Sequence, residues 1–180
     1  MRDNARMRTS LVLTVIGDDR PGIVEELSQH VSAAGANWEE SWMAHLAGKF
    51  AGVLRVSVDE ARAEDLAGSL RALESGGLRI ALERSVRSEP SDRALGLELV
   101  GNDRPGIVRE IAHALTTRGV NIEELETGVE GAAMSGEQLF RARARLRIPR
   151  DVPTEDIRRV LEALAHDLMV DLSFEGEQTG

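Results

Sequence analysis

The chain repeats itself. The octapeptide "GDDRPGIV" at 17–24 returns as "GNDRPGIV" at 101–108. An internal repeat of this kind constrains architecture before any single element does. Residues 13–41 align with 97–125 with 13 identities in 29 positions. These include Gly17/Gly101, the whole "DRPGIV" run, Glu26/Glu110, Gly35/Gly119 and Asn37/Asn121. Further on the match resumes at an offset near 90, with Phe50 against Phe140 and "GLRIAL" against "DLMVDL". The second copy therefore holds about six extra residues around "GVEGAAMSGEQ". Its Gly128, Gly131 and Gly136 read as a turn between strands. Two domains are expected, at 1–87 and 94–180, with the polar stretch 88–93 as their linker.

Within one copy the hydrophobic period changes in a fixed order. "SLVLTVIG" is a short, partly β-branched run ending at a glycine, hence a strand. From Pro21 to Ala34 the apolar residues Val24, Leu27, Val31 and Ala34 recur at helical spacing, with Pro just inside the start and Gly35 just past the end. "ANWEESWMAHLAG" reads as a strand, and its Trp38 and Trp42, four apart, are expected on one face. "KFAGVLRVSV" alternates, with Phe50, Leu54, Val56 and Val58 on one face. "EARAEDLAGSLRALE" is helical through Ala63, Leu66, Leu70 and Leu73, and "GLRIALERSV" closes as a strand. In the second copy the same elements fall near 95–101, 105–118, 120–130, 138–148, 154–166 and 168–174. The order β-α-β-β-α-β, twice, predicts an α+β protein of two tandem ferredoxin-like domains. Each would have a four-stranded antiparallel sheet and two helices on one face. Units this small bury little core alone, so pairing of the copies or of whole chains is expected.

Composition narrows the chemistry. The net charge is −9, which argues against broad nucleic-acid binding. There is no cysteine, so disulfides, thiolate metal sites and cysteine nucleophiles are excluded. Lys49 is the one lysine, which removes P-loop and Schiff-base readings elsewhere. No stretch reaches the roughly 18–20 apolar residues of a membrane span. The run behind the basic "MRDNARMR" is short for a signal peptide, so a cytoplasmic protein is expected. His30, His45, His113 and His166 show no metal-ligand spacing, and no cofactor is expected.

The repeated motif sits where a strand hands over to a helix. A helix start carries unpaired amides and a partial positive charge. Pro21 fixes φ, Gly22 lets a ligand approach, and Asp19 can accept from those amides as a cap. Such an end can hold a carboxylate. Asn37 and Asn121 offer both donor and acceptor at the next strand start, as a zwitterionic amino acid needs. The same residues serve equally as a helix cap and a strand-entry residue, and recurrence does not decide between the two.

The segments "GDDRPGIVEELSQHVSAAGANWEES" and "GNDRPGIVREIAHALTTRGVNIEEL" resemble the opening of ACT domains. "AAMSGEQLFRARARLRIP" is similar to the hairpin and third strand of the glycine cleavage system transcriptional repressor family. This resemblance implies two ACT modules, a small amino-acid ligand such as glycine or serine, and a homo-oligomer, a dimer in the first instance. It also implies a protein partner such as a transcription factor. The implied ligand residues are Asp19, Arg20, Gly22, Ile23 and Asn37, with Asp103, Arg104, Gly106, Ile107 and Asn121 in the second copy. Trp38 against Ile122 suggests unequal sites, the indole crowding any pocket beside Asn37. The competing reading is an oligomerisation module that binds no small molecule.

Two further features bear on function. "RARARLR" sets Arg141, Arg143, Arg145 and Arg147 on one strand face. They form either a basic binding stripe or a sheet face paired with neighbouring carboxylates, which the acidic total favours. An acylphosphatase-like use of Arg20 and Asn37 is opposed by the two carboxylates of "GDDRPG", and no catalytic grouping is apparent.

Overall fold

The computed structural model describes residues 7–85, 93–131 and 138–179. The chain divides into two compact units, residues 1–88 and 89–180. In the first, strand β1 (Arg8–Asp18) leads to helix α1 (Ile23–Ala33), strands β2 (Asn37–Leu46) and β3 (Lys49–Asp59), helix α2 (Ala63–Arg71) and strand β4 (Arg79–Ser85). The second repeats this order as β5 (Arg93–Asn102), α3 (Ile107–Thr116), β6 (Asn121–Gly131), β7 (Gln138–Ile148), α4 (Thr154–Leu168) and β8 (Val170–Thr179). The sheets run β2-β3-β1-β4 and β6-β7-β5-β8, with every pairing antiparallel. The α+β, tandem ferredoxin-like architecture is as expected.

Each unit has its own core. Leu11, Leu13 and Val15 alternate inward from β1 to meet Leu54 and Val56 of β3, Ile23, Leu27 and Val31 of α1, and Leu66 and Leu70 of α2. Leu95, Leu97 and Leu99 do the same in the second unit, against Ile107, Ile111 and Leu115 of α3 and Ile157 and Leu161 of α4. Both helices therefore cover one face of their sheet, and the opposite face is left outward.

Several local expectations need correction. Helix α1 begins at Ile23, not Pro21; Pro21 and Gly22 form a turn, and Gly22 at φ 94° is the N-cap. The expected helix 60–74 is an α-helix only over Ala63–Arg71, flanked by 3-10 turns at Glu60–Arg62 and Ala72–Gly76. Gly128 and Gly131 lie inside β6 rather than in a turn, and Gly136 falls outside the described residues, as does the expected linker except Arg93, which starts β5.

The two tryptophans do not share a face. The β2/β3 register shifts between Trp38 and Glu40, so Trp38 stands opposite Val56 while Trp42 stands opposite Val53. A bulge inserts one residue and reverses the alternation beyond it. Trp38 therefore packs on the core and Trp42 is 48% exposed on the other face. The second copy keeps the bulge, between Ile122 and Glu124.

Candidate functional site

The strand-to-helix junction is built alike in both units. Gly22 has φ 94° and Gly106 has φ 99°, the left-handed region that other residues enter at a cost. Each is an N-cap without a side-chain hydrogen bond. Gly22 O accepts from Glu26 N at 2.9 Å and Gly106 O from Glu110 N at 3.0 Å, which leaves the first-turn amides without a side-chain cap. No atom lies within 4 Å of a Cβ placed on Gly22, whereas Glu110 Oε1 is 3.6 Å from one on Gly106.

Asp19 is therefore not the cap. Its backbone N–H donates to Gly48 O at 3.0 Å, and its carboxylate lies 3.8 Å from His45 Nε2. That histidine nitrogen also accepts from Gly48 N at 3.2 Å. Asp103 N likewise donates to Gln138 O at 2.8 Å. In both copies the aspartate backbone ties the motif to the neighbouring hairpin strand.

The motif arginine faces its own helix. Arg20 Nη1 and Nη2 donate to Glu26 Oε1 and Oε2, both at 2.7 Å, a two-point pairing that fixes orientation. These hydrogen bonds hold the Glu26 carboxyl below its ordinary range and raise the Arg20 guanidinium above its own. Arg104 reaches Glu110 through one contact, Nη2 to Oε2 at 3.3 Å. Glu26 and Glu110 were visible in the repeat as identities six residues after the arginines, yet nothing in the spacing named them as partners.

Ile23 and Ile107 are each 2% exposed, so their side chains are core and only their amides face the junction. Asn37 and Asn121 are exposed and stand on the outward sheet face, one residue before core-facing Trp38 and Ile122. Within a unit, the structure thus does not place the asparagine side chain on the helix-bearing face. The same alternation corrects the expectation that Trp38 crowds Asn37: its indole is turned to the core, donating from Nε1 to Ser41 Oγ at 3.2 Å.

The copies differ beneath the first helix. Val108, Ile111, Ile122, Leu125, Phe140 and Ala144 help line an apolar pocket that opens in part to solvent. Leu54 and Trp38 hold the positions of Ala144 and Ile122 in the first unit, as pairing with Leu13 against Leu97 and with Val56 against Leu146 shows. The first unit thus carries the larger side chain at both positions.

Each arginine of the stripe meets a carboxylate. Glu98 takes Arg141 at 3.2 Å and Arg143 at 3.3 Å. Glu123 takes Arg145 at 3.6 Å and Arg147 at 3.4 Å, and Glu124 also pairs with Arg145. It is a paired sheet face. Among the described residues no group of histidine and carboxylate side chains could hold a metal. No helix among them is long and apolar enough to cross a membrane.

Comparison with known proteins agrees with this architecture. The ACT domain family model matches residues 9–80, which is β1 through the start of β4. The glycine cleavage system transcriptional repressor of Escherichia coli (strain K12) is 25% identical over 162 residues, covering 88% of this chain and 85% of that protein. The chain is a tandem ACT-domain protein. It resembles that repressor across both modules.

Solved structures extend the likeness. The crystal structure of an unknown protein from Galdieria sulphuraria is 32% identical, with a TM-score of 0.84 over 96% of this chain and 99% of that one. A protein provisionally assigned as a glycine cleavage system transcriptional repressor shares the fold at 19% identity. Its TM-score is 0.68, over 97% of this chain and 99% of that one. In this tandem ACT-domain protein the junction of Gly22 or Gly106 with the first helix is thus a repeated feature of two homologous modules.

Proposed function

We propose that this tandem ACT-domain protein is a non-catalytic, cytoplasmic regulator that binds a small amino acid, glycine or serine first among them. Occupancy would be passed to a protein partner, such as a transcription regulator of amino-acid metabolism. The observation that carries this reading is the pair of open, uncapped glycine N-caps at Gly22 and Gly106. A ligand carboxylate there meets amides and the positive end of the helix dipole. The proposed ligand set is Asp19, Arg20, Gly22, Ile23 and Asn37, with Asp103, Arg104, Gly106, Ile107 and Asn121, within modules taken as 1–87 and 94–180. The repressor named among the relatives supports the regulatory role. A ligand transmits a signal only if it favours one state of the partner interface over another.

A second reading, a constitutive interaction module without a ligand, is favoured by two observations. Arg20 is held by Glu26, and Asn37 and Asn121 lie on the outward sheet faces. Thermal-shift measurements against the common amino acids separate the readings. Ligand at 100 times its dissociation constant adds about 2.7 kcal/mol. Gly22→Leu and Gly106→Leu, each compared with its own ligand-free melt, report which module responds. No shift at millimolar concentration of any amino acid rejects the sensor.

A further inference from the structure

The outward faces of the two sheets share a fold and differ in chemistry. In the second module that face is closed by its own ion pairs, Glu98, Glu123 and Glu124 against four arginines. In the first module its centre is apolar. Trp42, Val53, Thr14 and Ala81 form one rung across the four strands. Ala44, Ala51, Ile16 and Arg79 form the rung on one side of it; Glu40, Arg55, Val12 and Glu83 form the rung on the other. Trp42 is 48% exposed, Ile16 42% and Val53 36%. Arg55 is already held by Glu39 at 2.7 Å and Glu40 at 3.0 Å. Arg79 and Glu83 form no ion pair among the described residues.

We propose that this face docks a second copy of the chain about a two-fold axis lying across the strands, over the Trp42–Ala81 rung. Such an axis reverses strand direction and sets each strand over its own counterpart. The rung on one side then meets the rung on the other. Val12 meets the partner's Ile16, and Arg79 meets the partner's Glu83, with the same contacts repeated in reverse. A face that carries a positive charge on one side of the axis and a negative charge equally far on the other is complementary to itself. That selects a second copy as the occupant. Strands about 4.8 Å apart and about ten residues long at about 3.3 Å each give a footprint of roughly 600 Å². A standard interface buries about 800 Å² per partner, the same order.

Sedimentation velocity of the full chain at micromolar concentrations tests this. The wild type is expected to be a dimer. Trp42→Glu, Arg79→Glu and Glu83→Arg are each expected to weaken it by at least about tenfold. The double variant Arg79→Glu/Glu83→Arg should recover the wild-type constant, because the exchanged charges match again across the axis. Ala81→Cys puts a single thiol on the axis of a chain that has no cysteine, and a short bismaleimide should link it to its own copy. A monomeric wild type, a dimer indifferent to these changes, a double variant no tighter than the singles, or an unlinked Ala81→Cys overturns the proposal.

Discussion

Gly101→Ala tests whether the first glycine of the repeated motif is there for packing rather than for a ligand. Gly101, the last residue but one of β5, stands directly opposite Val170, the first residue of β8. A Cβ on Gly101 would lie 2.4 Å from Val170 Cγ1, 2.8 Å from its Cβ and 3.0 Å from its Cα. Carbon atoms rest about 3.5–4.0 Å apart, so the methyl intrudes by about an ångström on side chain and backbone together. Val170 cannot simply withdraw. It is buried in the core and follows Met169, which ends α4 in the left-handed conformation at φ 53°. Overpacking of this kind costs about 1–3 kcal/mol, or roughly 4–8 °C of Tm for each kcal/mol in a domain of this size. Gly17→Ala should cost less, because its 2.7 Å contact is the tip of Leu78, although Gly77 O lies at 3.0 Å. Gly128→Ala, with nothing within 4 Å, is the control and should be neutral or slightly stabilising. Urea unfolding followed by far-UV circular dichroism reads both modules, while tryptophan fluorescence reads only the first, where Trp38 and Trp42 lie. A Gly101→Ala stability within about 0.5 kcal/mol of wild type, or equal to that of Gly128→Ala, would refute the steric reading.

Other consequences follow from the same geometry. Leu54→Ala should destabilise the first module by about 2–5 kcal/mol in chemical denaturation, since Leu54 is 1% exposed. Ala144→Leu, entering the cavity of the second module, should cost far less or stabilise. The Arg20 pairing lowers the Glu26 carboxyl relative to the unfolded chain. Its contribution is therefore present above the unfolded carboxylate range and lost as pH falls through the folded one. Glu26→Gln should flatten that part of the acid limb of stability, measured by urea midpoint against pH. Arg145→Ala, at a half-exposed pair, should change stability by no more than about 1 kcal/mol.

The repeat made the fold legible, because the order of alternating and helical segments in one copy recurs in the other. The site was only half legible. Sequence located the junction at Asp19–Gly22 and Asp103–Gly106, and the structure puts an open glycine N-cap there. It could not show that Arg20 turns back onto Glu26, since a six-residue separation across a turn is fixed by the left-handed glycine between them. Nor could it place Asn37, because strand alternation assigns a face only when the register with β3 is known. The Trp38 error has the same origin. A bulge adds one residue without any mark in the composition, and counting by twos then fails beyond it.

That bulge makes β2 a strand with a parity change at Glu39, and β6 has one at Glu123. Residues before it and after it answer to opposite rules of inside and outside. Losing Glu39 would remove the bulge and leave every pairing beyond it as it is, with Trp42 still opposite Val53 and Met43 still opposite Gly52. In a regular strand the same loss would slip the register by one residue and exchange surface for interior. The bulge is thus the one point of β2 where the strand can lose a residue and keep what both of its faces show.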